Sequence, residues 1–255
     1  MGAARGHVTL VRPGRVPYGQ ALTAQLDARA QLQQRSFDGD DPELGVVFAL
    51  EHGLTVTLGR RGKIEHLTAP ALLHARGAEV FLVDRGGEAT LHEPGQLVVY
   101  PVLALGQLPF GVVDLIRGMA RAIAELLGED YGVSAAYDED HPGVWVTLPG
   151  GGAPRKIASV GMRVSGGVTT HGVAVNLIND LTGFMLIVPC GMPSAPMTRL
   201  LDLVSPELAA DPRALFEAFS ARFLARLEAL LGVPLRDGEA SLPADRARWA
   251  AALDY

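Results

Sequence analysis

The sequence predicts an α/β domain of the α+β type, a mixed sheet flanked by helices. Three observations support this prediction. Apolar residues recur at helical spacing between Phe110 and Leu127. Short apolar or alternating segments, typical of strands, fill much of residues 133–189. A second helical stripe follows Asp211 and Pro212, and the segments show no regular strand–helix alternation.

The first half of the chain is expected to begin with a helix from Tyr18 to about Arg35. Two segments typical of strands follow, LGVVFALEH and LTVTLG, and a basic turn, RRGK, comes directly after them. A short helix around Ala69–Ala75 is expected to lead to the strand AEVFLVD. The glycine-rich segment Arg85 to Pro101 then enters a further strand.

The second half opens with the helix from Phe110 to Leu127 and continues with strands. These are VSAAY, GVWVTL, KIASVGMRV, VTTHGVAVNL and FMLIVP, with the flexible connection PGGGAP between two of them. Asp211 and Pro212 start the last long helix, and Gly232 and Pro234 end it. We expect one domain over residues 1–235 and a C-terminal extension over residues 236–255.

Composition excludes several classes of protein. With 255 residues, of which 48% are hydrophobic, the chain has enough apolar side chains for a sizeable core. A formal net charge of −6 provides no overall basic field for nucleic acid or an anionic membrane. Cys190 is the only cysteine, which excludes an intramolecular disulfide. None of the seven histidines forms a metal-binding pair, and neither a signal peptide nor a membrane-spanning run is visible. We therefore expect a soluble, cytoplasmic protein without a metal.

The segment RGGEATLHEPGQLVVYP, from Arg85 to Pro101, carries much glycine ahead of a strand. It matches neither GxGxxG nor GxxxxGK[ST], the two common phosphate-binding patterns. Because it precedes a strand, it offers no helix N-terminus to an anion. His92 lies here among glycines, which let a backbone approach a ligand closely. The loop is therefore a candidate binding site for something other than a phosphate.

Three further residues are candidates for chemistry. Lys156 leads an apolar face of KIASVGMRV, so its ammonium group either reaches solvent at the strand end or is desolvated. His171 lies on an apolar face of VTTHGVAVNL, a position more typical of a core histidine than of a ligand. Cys190 follows an apolar run and lies between Pro189 and Gly191. A lone cysteine is usually a small buried residue, whereas a catalytic one needs a partner that produces thiolate.

Three motifs together resemble the lipoyl(octanoyl) transferase family. The family loop RGGxxTxHGPGQLVxYP is similar to RGGEATLHEPGQLVVYP here, and RKIAxxGxRVSxxVTxHGxAxN is similar to RKIASVGMRVSGGVTTHGVAVN. A Pro-Cys-Gly turn corresponds to PCGM, and LTVTLGRRG and YGQALTAQ are weaker matches. The resemblance extends from about Tyr18 to Leu200.

The resemblance implies the catalytic-domain fold of lipoate and biotin protein ligases and a thioester mechanism. By this resemblance Cys190 is the nucleophile, and Lys156 helps to form its thiolate. The implied acyl-binding residues come from three segments: Arg85, Gly86, Gly87, Glu88, Ala89, Thr90, Leu91 and His92; Ser159, Val160 and Gly161; and Gly172, Val173 and Ala174. An acyl group that arrives as a thioester is already activated, so no ATP and no other cofactor is expected.

The family also implies partners. The donor is octanoyl-acyl carrier protein, and the acceptors are lipoyl domains of 2-oxoacid dehydrogenase complexes and the glycine cleavage H protein. Neither nucleic acid nor a membrane is an expected partner. Because carrier proteins of this family are acidic, we expect a local basic patch for docking, formed by Arg60, Arg61, Lys63 and Arg155.

Two positions depart from the family pattern, and two alternatives stay open. Glu93 replaces the usual glycine, and Leu91 replaces the usual tyrosine. We expect Glu93 to place a negative charge beside the acyl site and Glu93→Gly to retain or increase activity. One alternative is an acyl-protein transferase of the same fold with another donor or acceptor. The other is a catalytically silent protein that binds acyl groups or lipoyl domains, which the intact Cys190 and Lys156 disfavour.

Overall fold

The computed structural model of the protein describes residues 5–148, 150–188 and 196–246. Two sheets and several helices form the described part of the chain. The strands are β1 (His7–Arg15), β2 (Glu43–Glu51), β3 (Thr55–Leu58), β4 (Glu79–Leu82), β5 (Ala89–His92), β6 (Gln96–Leu103), β7 (Ala135–Asp138), β8 (Gly143–Val146), β9 (Arg155–Ser165), β10 (Val168–Asn176) and β11 (Leu235–Asp237). The α-helices are α1 (Tyr18–Gln34), α2 (Pro70–Ala75), α3 (Val112–Tyr131), α4 (Pro206–Ala209) and α5 (Pro212–Leu231).

The larger sheet is mixed, as the sequence predicts. Its strand order is β11-β1-β2-β6-β10-β9-β8-β7. Strand β1 pairs in parallel with β2 and β11, whereas the strands from β2 through to β7 pair antiparallel. A smaller sheet, with the order β4-β3-β5, lies beside it.

Both faces of the larger sheet are buried, because side chains alternate along each strand. In β6, Leu97 and Val99 face a core that includes α3 and α5. Val98 and Tyr100 face the opposite core, which includes Tyr18 of α1. This double burial explains why β6 appears in the sequence as a continuous apolar run.

The two long amphipathic helices form close to where the sequence predicts them. Helix α3 ends at Gly132, which adopts the left-handed conformation with φ of 66°. Helix α5 begins at Asp211, whose carboxylate accepts the backbone N–H of Ala214 at 3.0 Å. No helix of the described residues is long and apolar enough to cross a membrane.

One predicted strand is wrong. Within FMLIVP, the residues up to Leu186 belong to a 3₁₀ helix, Thr182–Leu186. This helix follows Leu181, which adopts a positive φ of 68°. Phe184 and Leu186 pack under the smaller sheet, so a short apolar run is buried here without extended backbone.

The C-terminal part of the described chain packs on the rest of the domain. The expected boundary between residues 235 and 236 falls inside β11, which pairs with β1. Further along, the backbone N–H of Arg246 donates to Thr23 Oγ1 of α1 at 3.0 Å. As far as Arg246, these residues are therefore in contact with the domain.

Candidate active site

The glycine-rich loop after β4 is held by a buried arginine. Arg85 is 8% exposed, and its guanidinium donates to Thr57 O at 2.7 Å and to Glu88 O at 2.8 Å. The backbone of the loop also bonds to the basic turn, because Arg61 N donates to Gly87 O at 3.1 Å. On the other side Gly86 N donates to Met162 O of β9 at 3.1 Å. The loop is thereby fixed between the two sheets.

Glycine permits this close packing. A Cβ atom at Gly59 would lie 2.6 Å from Gly87 O, and one at Gly161 would lie 3.0 Å from Gly86 O. Gly172 has still less space, since its Cβ would lie 2.0 Å from Val99 O. Side chains at these positions would force the loop and the strands apart.

The loop covers a cavity of about 330 Å³ over β9 and β10. Nearly all of the expected acyl-binding residues line it: Arg85, Gly86, Gly87, Glu88, Ala89, Thr90, His92, Ser159, Val160, Gly161, Gly172, Val173 and Ala174. The sequence did not single out several further lining residues: Tyr18, Tyr100, Ile116, Tyr137, Asp140, Pro142 and Met162. Tyr18 lies within the weaker motif YGQALTAQ and Tyr100 ends the loop motif, which is the signal that could have found them.

Leu91 is the exception among the expected acyl-binding residues. Its side chain is fully buried under the smaller sheet, in the cluster that contains Val56 and Phe184. A Cβ atom at Gly183 would lie 2.8 Å from Leu91 Cδ1. The structure therefore places Leu91 in a core outside the cavity lining, and its replacement of the family tyrosine changes that core.

Lys156 is desolvated and does not reach solvent, which decides between the two interpretations of its position. It is fully buried, and its Nζ donates to Pro142 O at 3.1 Å and lies 4.7 Å from the centre of a Trp145 ring. Gly143 makes room for it, because a Cβ there would lie 2.8 Å from Lys156 Cε. Pro142 also lines the cavity, so the lysine lies behind the cavity wall at this end.

Cys190 lies outside the described residues, and its contact with Lys156 stays a prediction. The described residues on both sides of it are anchored. Val188 N donates to His66 O at 2.7 Å. Further along the chain, Lys156 N donates to Pro196 O at 2.8 Å, and Thr198 N donates to Lys156 O at 3.0 Å. The chain that follows Cys190 thus returns to the backbone of Lys156.

His92 is buried, and its hydrogen bonds define its tautomer. The side-chain nitrogen of Gln96 donates to Leu91 O and Asn176 Oδ1, so Gln96 Oε1 is an acceptor. His92 Nδ1, 2.8 Å from that oxygen, must therefore carry the proton. Burial, followed by the proximity of His52, holds the pKa of His92 well below its usual range. The ring is neutral, with Nε2 unprotonated.

A second buried histidine orients Tyr100. His52 Nδ1 lies 2.9 Å from Val16 O and must donate to it, so Nε2 accepts the hydroxyl proton of Tyr100 at 3.0 Å. Burial lowers the pKa of His52 to about 4, against the opposing effect of the bond to Val16. Burial also raises the pKa of Tyr100 well above its usual range. This pair is therefore neutral near pH 7.

His171 lines the cavity and has a strained backbone. Its φ is 60°, uncommon for a residue with a side chain, and Gln25 Oε1 accepts its backbone N–H at 2.7 Å. Its Nε2 lies 3.1 Å from Asp84 Oδ1. Burial lowers the pKa of His171, although Asp84 opposes the shift. It is buried and hydrogen-bonded, as expected of a core histidine, but it also belongs to the cavity wall.

Glu93 does not line the cavity. The residue is 5% exposed, and its carboxylate accepts Asn179 Nδ2 and Leu181 N, both at 2.9 Å. Burial raises the pKa of Glu93 even though both donors oppose the shift. The structure thus bonds Glu93 to the residues that precede Thr182–Leu186 and leaves its side chain out of the cavity wall. The effect of its charge on the acyl site stays a prediction. No three metal-binding side chains meet within the described ranges in a way that could hold an ion.

Comparison with solved structures defines the class of protein. A bipartite lipoate protein ligase from Thermoplasma acidophilum, which belongs to a lipoylation system with its E2 lipoyl domain, aligns with a TM-score of 0.66. The alignment covers 93% of this chain and 88% of that one. At 16% identity this likeness establishes the fold alone. The protein has the lipoate-protein-ligase fold.

Sequence comparison defines the family. A model named lipoyl protein ligase A/B catalytic domain matches residues 23–224, so the chain belongs to that family. Octanoyltransferases of Chloroflexus aggregans and Pseudomonas putida are 40% and 42% identical, each over 76% of this chain and over 83% and 81% of those proteins. One from Myxococcus xanthus is 38% identical, but the match spans 52% of its length. The protein is an acyltransferase of the octanoyltransferase group, as the motifs predict.

Proposed function

We propose that the protein takes an octanoyl group from octanoyl-acyl carrier protein, holds it as a thioester on Cys190 and transfers it to a lysine of a lipoyl domain. The observation that carries this proposal is the buried Lys156 at the cavity wall, beside the anchored residues that follow Cys190 in the chain. A desolvated ammonium group favours a neighbouring thiolate, because each charge stabilises the other.

In the first half-reaction the Cys190 thiolate attacks the carbonyl carbon of the donor thioester. A new carbon–sulfur bond forms to Cys190 and the old one breaks. The carrier thiolate takes a proton from the Lys156 ammonium as it leaves, so Lys156 becomes neutral. The acyl chain then occupies the cavity, whose glycines let the backbone of residues 85–88 lie close to β9. No phosphate site is required, since the thioester is already activated.

In the second half-reaction the acceptor lysine attacks the acyl-enzyme. An amide bond forms, the bond to Cys190 breaks, and Cys190 leaves as a thiolate beside the Lys156 ammonium. As the neutral amine of the acceptor attacks, Lys156, left neutral by the first half-reaction, accepts the proton that the amine nitrogen loses. The same lysine thus serves both half-reactions.

Exposed basic side chains near the cavity support an acidic carrier protein as the donor. The backbone of the basic turn is bonded to the loop that covers the cavity, and Arg61 lines the cavity with 70% of its side chain exposed. Arg60 and Lys63 are exposed beside it. A lipoyl domain as the acceptor is supported by the Thermoplasma acidophilum system, in which a lipoate protein ligase is paired with its E2 lipoyl domain.

Intact-mass measurement tests the proposal. Wild-type protein mixed with octanoyl-acyl carrier protein should gain the mass of one octanoyl group, and hydroxylamine should remove it. Adding a lipoyl domain should move that mass to the domain. Cys190→Ser should form no thioester. A wild-type protein that stays unmodified while the lipoyl domain becomes octanoylated would overturn the covalent mechanism.

A further inference from the structure

Three polar side chains line the cavity from the side where α1 meets β6. Tyr18, His92 and Tyr100 are 1%, 5% and 3% exposed and all contribute to the cavity wall. They form one cluster: the rings of Tyr18 and His92 stack with centres 5.8 Å apart, and His52 lies between His92 and Tyr100 at 5.4 and 5.9 Å. We call Tyr18, His92 and Tyr100 the polar end of the cavity.

The polar end presents hydrogen-bond acceptors. His92 uses Nδ1 to donate to Gln96, which leaves Nε2 with a lone pair and, within the described chain, without a partner. Tyr100 donates its proton to His52, so its oxygen can only accept from a ligand in the cavity. The hydroxyl of Tyr18 has no hydrogen-bond partner among the described residues and can accept or donate.

The polar end is distant from Lys156. Gly172 pairs with Gly161 of β9, and the next residue, Val173, pairs with Val99, the neighbour of Tyr100 in β6. Tyr100 and Gly161 therefore lie close to one row across β6, β10 and β9. Lys156 lies near the other end of β9, beside Pro142. Two strand spacings and the rise along β9 separate the Cα atoms of Lys156 and Tyr100 by on the order of 15–20 Å. An acyl chain whose carbonyl lies beside Lys156 therefore points towards the polar end.

A hydrocarbon tail does not satisfy these groups. If a methyl terminus displaces water from His92 Nε2 and the tyrosine oxygens, buried polar atoms lose their partners, which disfavours binding. A hydroxyl or thiol in the same place donates to them and keeps them satisfied. We propose that the polar end recognises acyl chains that carry a hydroxyl or thiol near the far end, so that such chains are substrates alongside octanoyl. This inference rests on the proposed acyl transfer.

Selectivity between two matched donors tests the inference. We would measure kcat/KM for octanoyl and 8-hydroxyoctanoyl carrier protein with wild type, Tyr100→Phe and Tyr18→Phe. Each substitution removes one oxygen and leaves the ring. If this end of the cavity were purely apolar, kcat/KM for the 8-hydroxyoctanoyl donor would be about 100-fold lower than for the octanoyl donor. We expect wild type to use both donors within about tenfold of each other and Tyr100→Phe to shift the ratio at least fivefold towards octanoyl. Tyr131→Phe, at the C-terminal end of α3 and outside the cavity lining, should leave the ratio unchanged.

A strong wild-type preference for octanoyl that neither tyrosine variant alters would overturn the inference. Failure of the proposed transfer is distinguishable from this result, because neither donor would then acylate the protein. In that case calorimetric binding of octanoic and 8-hydroxyoctanoic acid to wild type and Tyr100→Phe reports on the polar end without any reaction. Equal affinity of Tyr100→Phe and wild type for the hydroxy acid would overturn it there as well.

Discussion

The carboxylate of Glu93 accepts the backbone N–H of Leu181 at 2.9 Å, and Leu181 has the positive φ that starts the 3₁₀ helix Thr182–Leu186. The same oxygen accepts Asn179 Nδ2. Glu93 therefore connects the start of the β5–β6 turn to the segment that leads towards Cys190. In the family pattern Glu93 is only a departure from the usual glycine, whereas in the structure it has two hydrogen-bonding partners.

The first prediction is that Glu93→Gly lowers stability, a property separate from the activity that the motif comparison addresses. It leaves Leu181 N–H and Asn179 Nδ2 without their acceptor, which should lower the free energy of unfolding by about 1–3 kcal/mol. Glu93→Gln keeps an acceptor oxygen and should lose less. Urea denaturation compares the three proteins. A glycine variant as stable as wild type would show that water replaces the carboxylate at no cost.

The second prediction concerns pH. Burial raises the folded-state pKa of Glu93 above its unfolded value, so its favourable contribution is complete below the unfolded pKa and is lost as pH rises through the folded pKa. Relative to wild type, Glu93→Gln should therefore gain stability over the pH range above the ordinary glutamate pKa of 4.5. Denaturation midpoints across this range measure the difference. A constant difference would contradict the raised pKa.

The third prediction addresses thiolate formation. Lys156→Met removes the charge and keeps most of the volume, so the alkylation rate of Cys190 should rise with pH only near the ordinary thiol pKa of about 8.5. Wild type should react at lower pH. Lys63→Met is the matched control, since Lys63 is an exposed lysine of the basic turn. Identical rate profiles for wild type and Lys156→Met would exclude activation of the thiol by this lysine.

The fourth prediction concerns the space around that lysine. In Gly143→Ala the new Cβ would lie 2.8 Å from Lys156 Cε and 2.6 Å from Ala158 O. The strand and the lysine must shift, which should lower the free energy of unfolding by about 1–3 kcal/mol and reduce the acylation rate. Gly106→Ala, with open space around the added atom, should change neither. Full acylation by Gly143→Ala would show that Lys156 tolerates displacement.

The fifth prediction concerns the donor protein. Reversing the charge of Arg60 and Lys63 to glutamate should raise KM for the acyl carrier protein several-fold at low salt and leave kcat nearly unchanged. Added salt should reduce the difference, because it screens exposed charges. Arg12→Glu, on strand β1 next to the edge strand β11 of the larger sheet, is the control. A KM indifferent to both salt and charge reversal would exclude the basic turn as the docking site.

Local patterns in the sequence determined the long elements and the identity of the site. Helices α3 and α5 repeat apolar residues over several turns, and their ends carry Gly132, Asp211 and Gly232, so each could be predicted without knowledge of its neighbours. The residues of the glycine-rich loop could likewise be named, because their order along the chain forms the motif. Such features depend on residues that are close in sequence.

Only the tertiary structure decided which side chains meet. The strand expected over FMLIVP is a 3₁₀ helix in Thr182–Leu186, because Glu93 and the smaller sheet hold that segment. Lys156 is desolvated because Pro142 and Trp145 come from another strand and its turn. The polar end likewise combines side chains from α1, β5 and β6. Burial and hydrogen bonding depend on contacts between distant segments, and no spacing within one segment reports them.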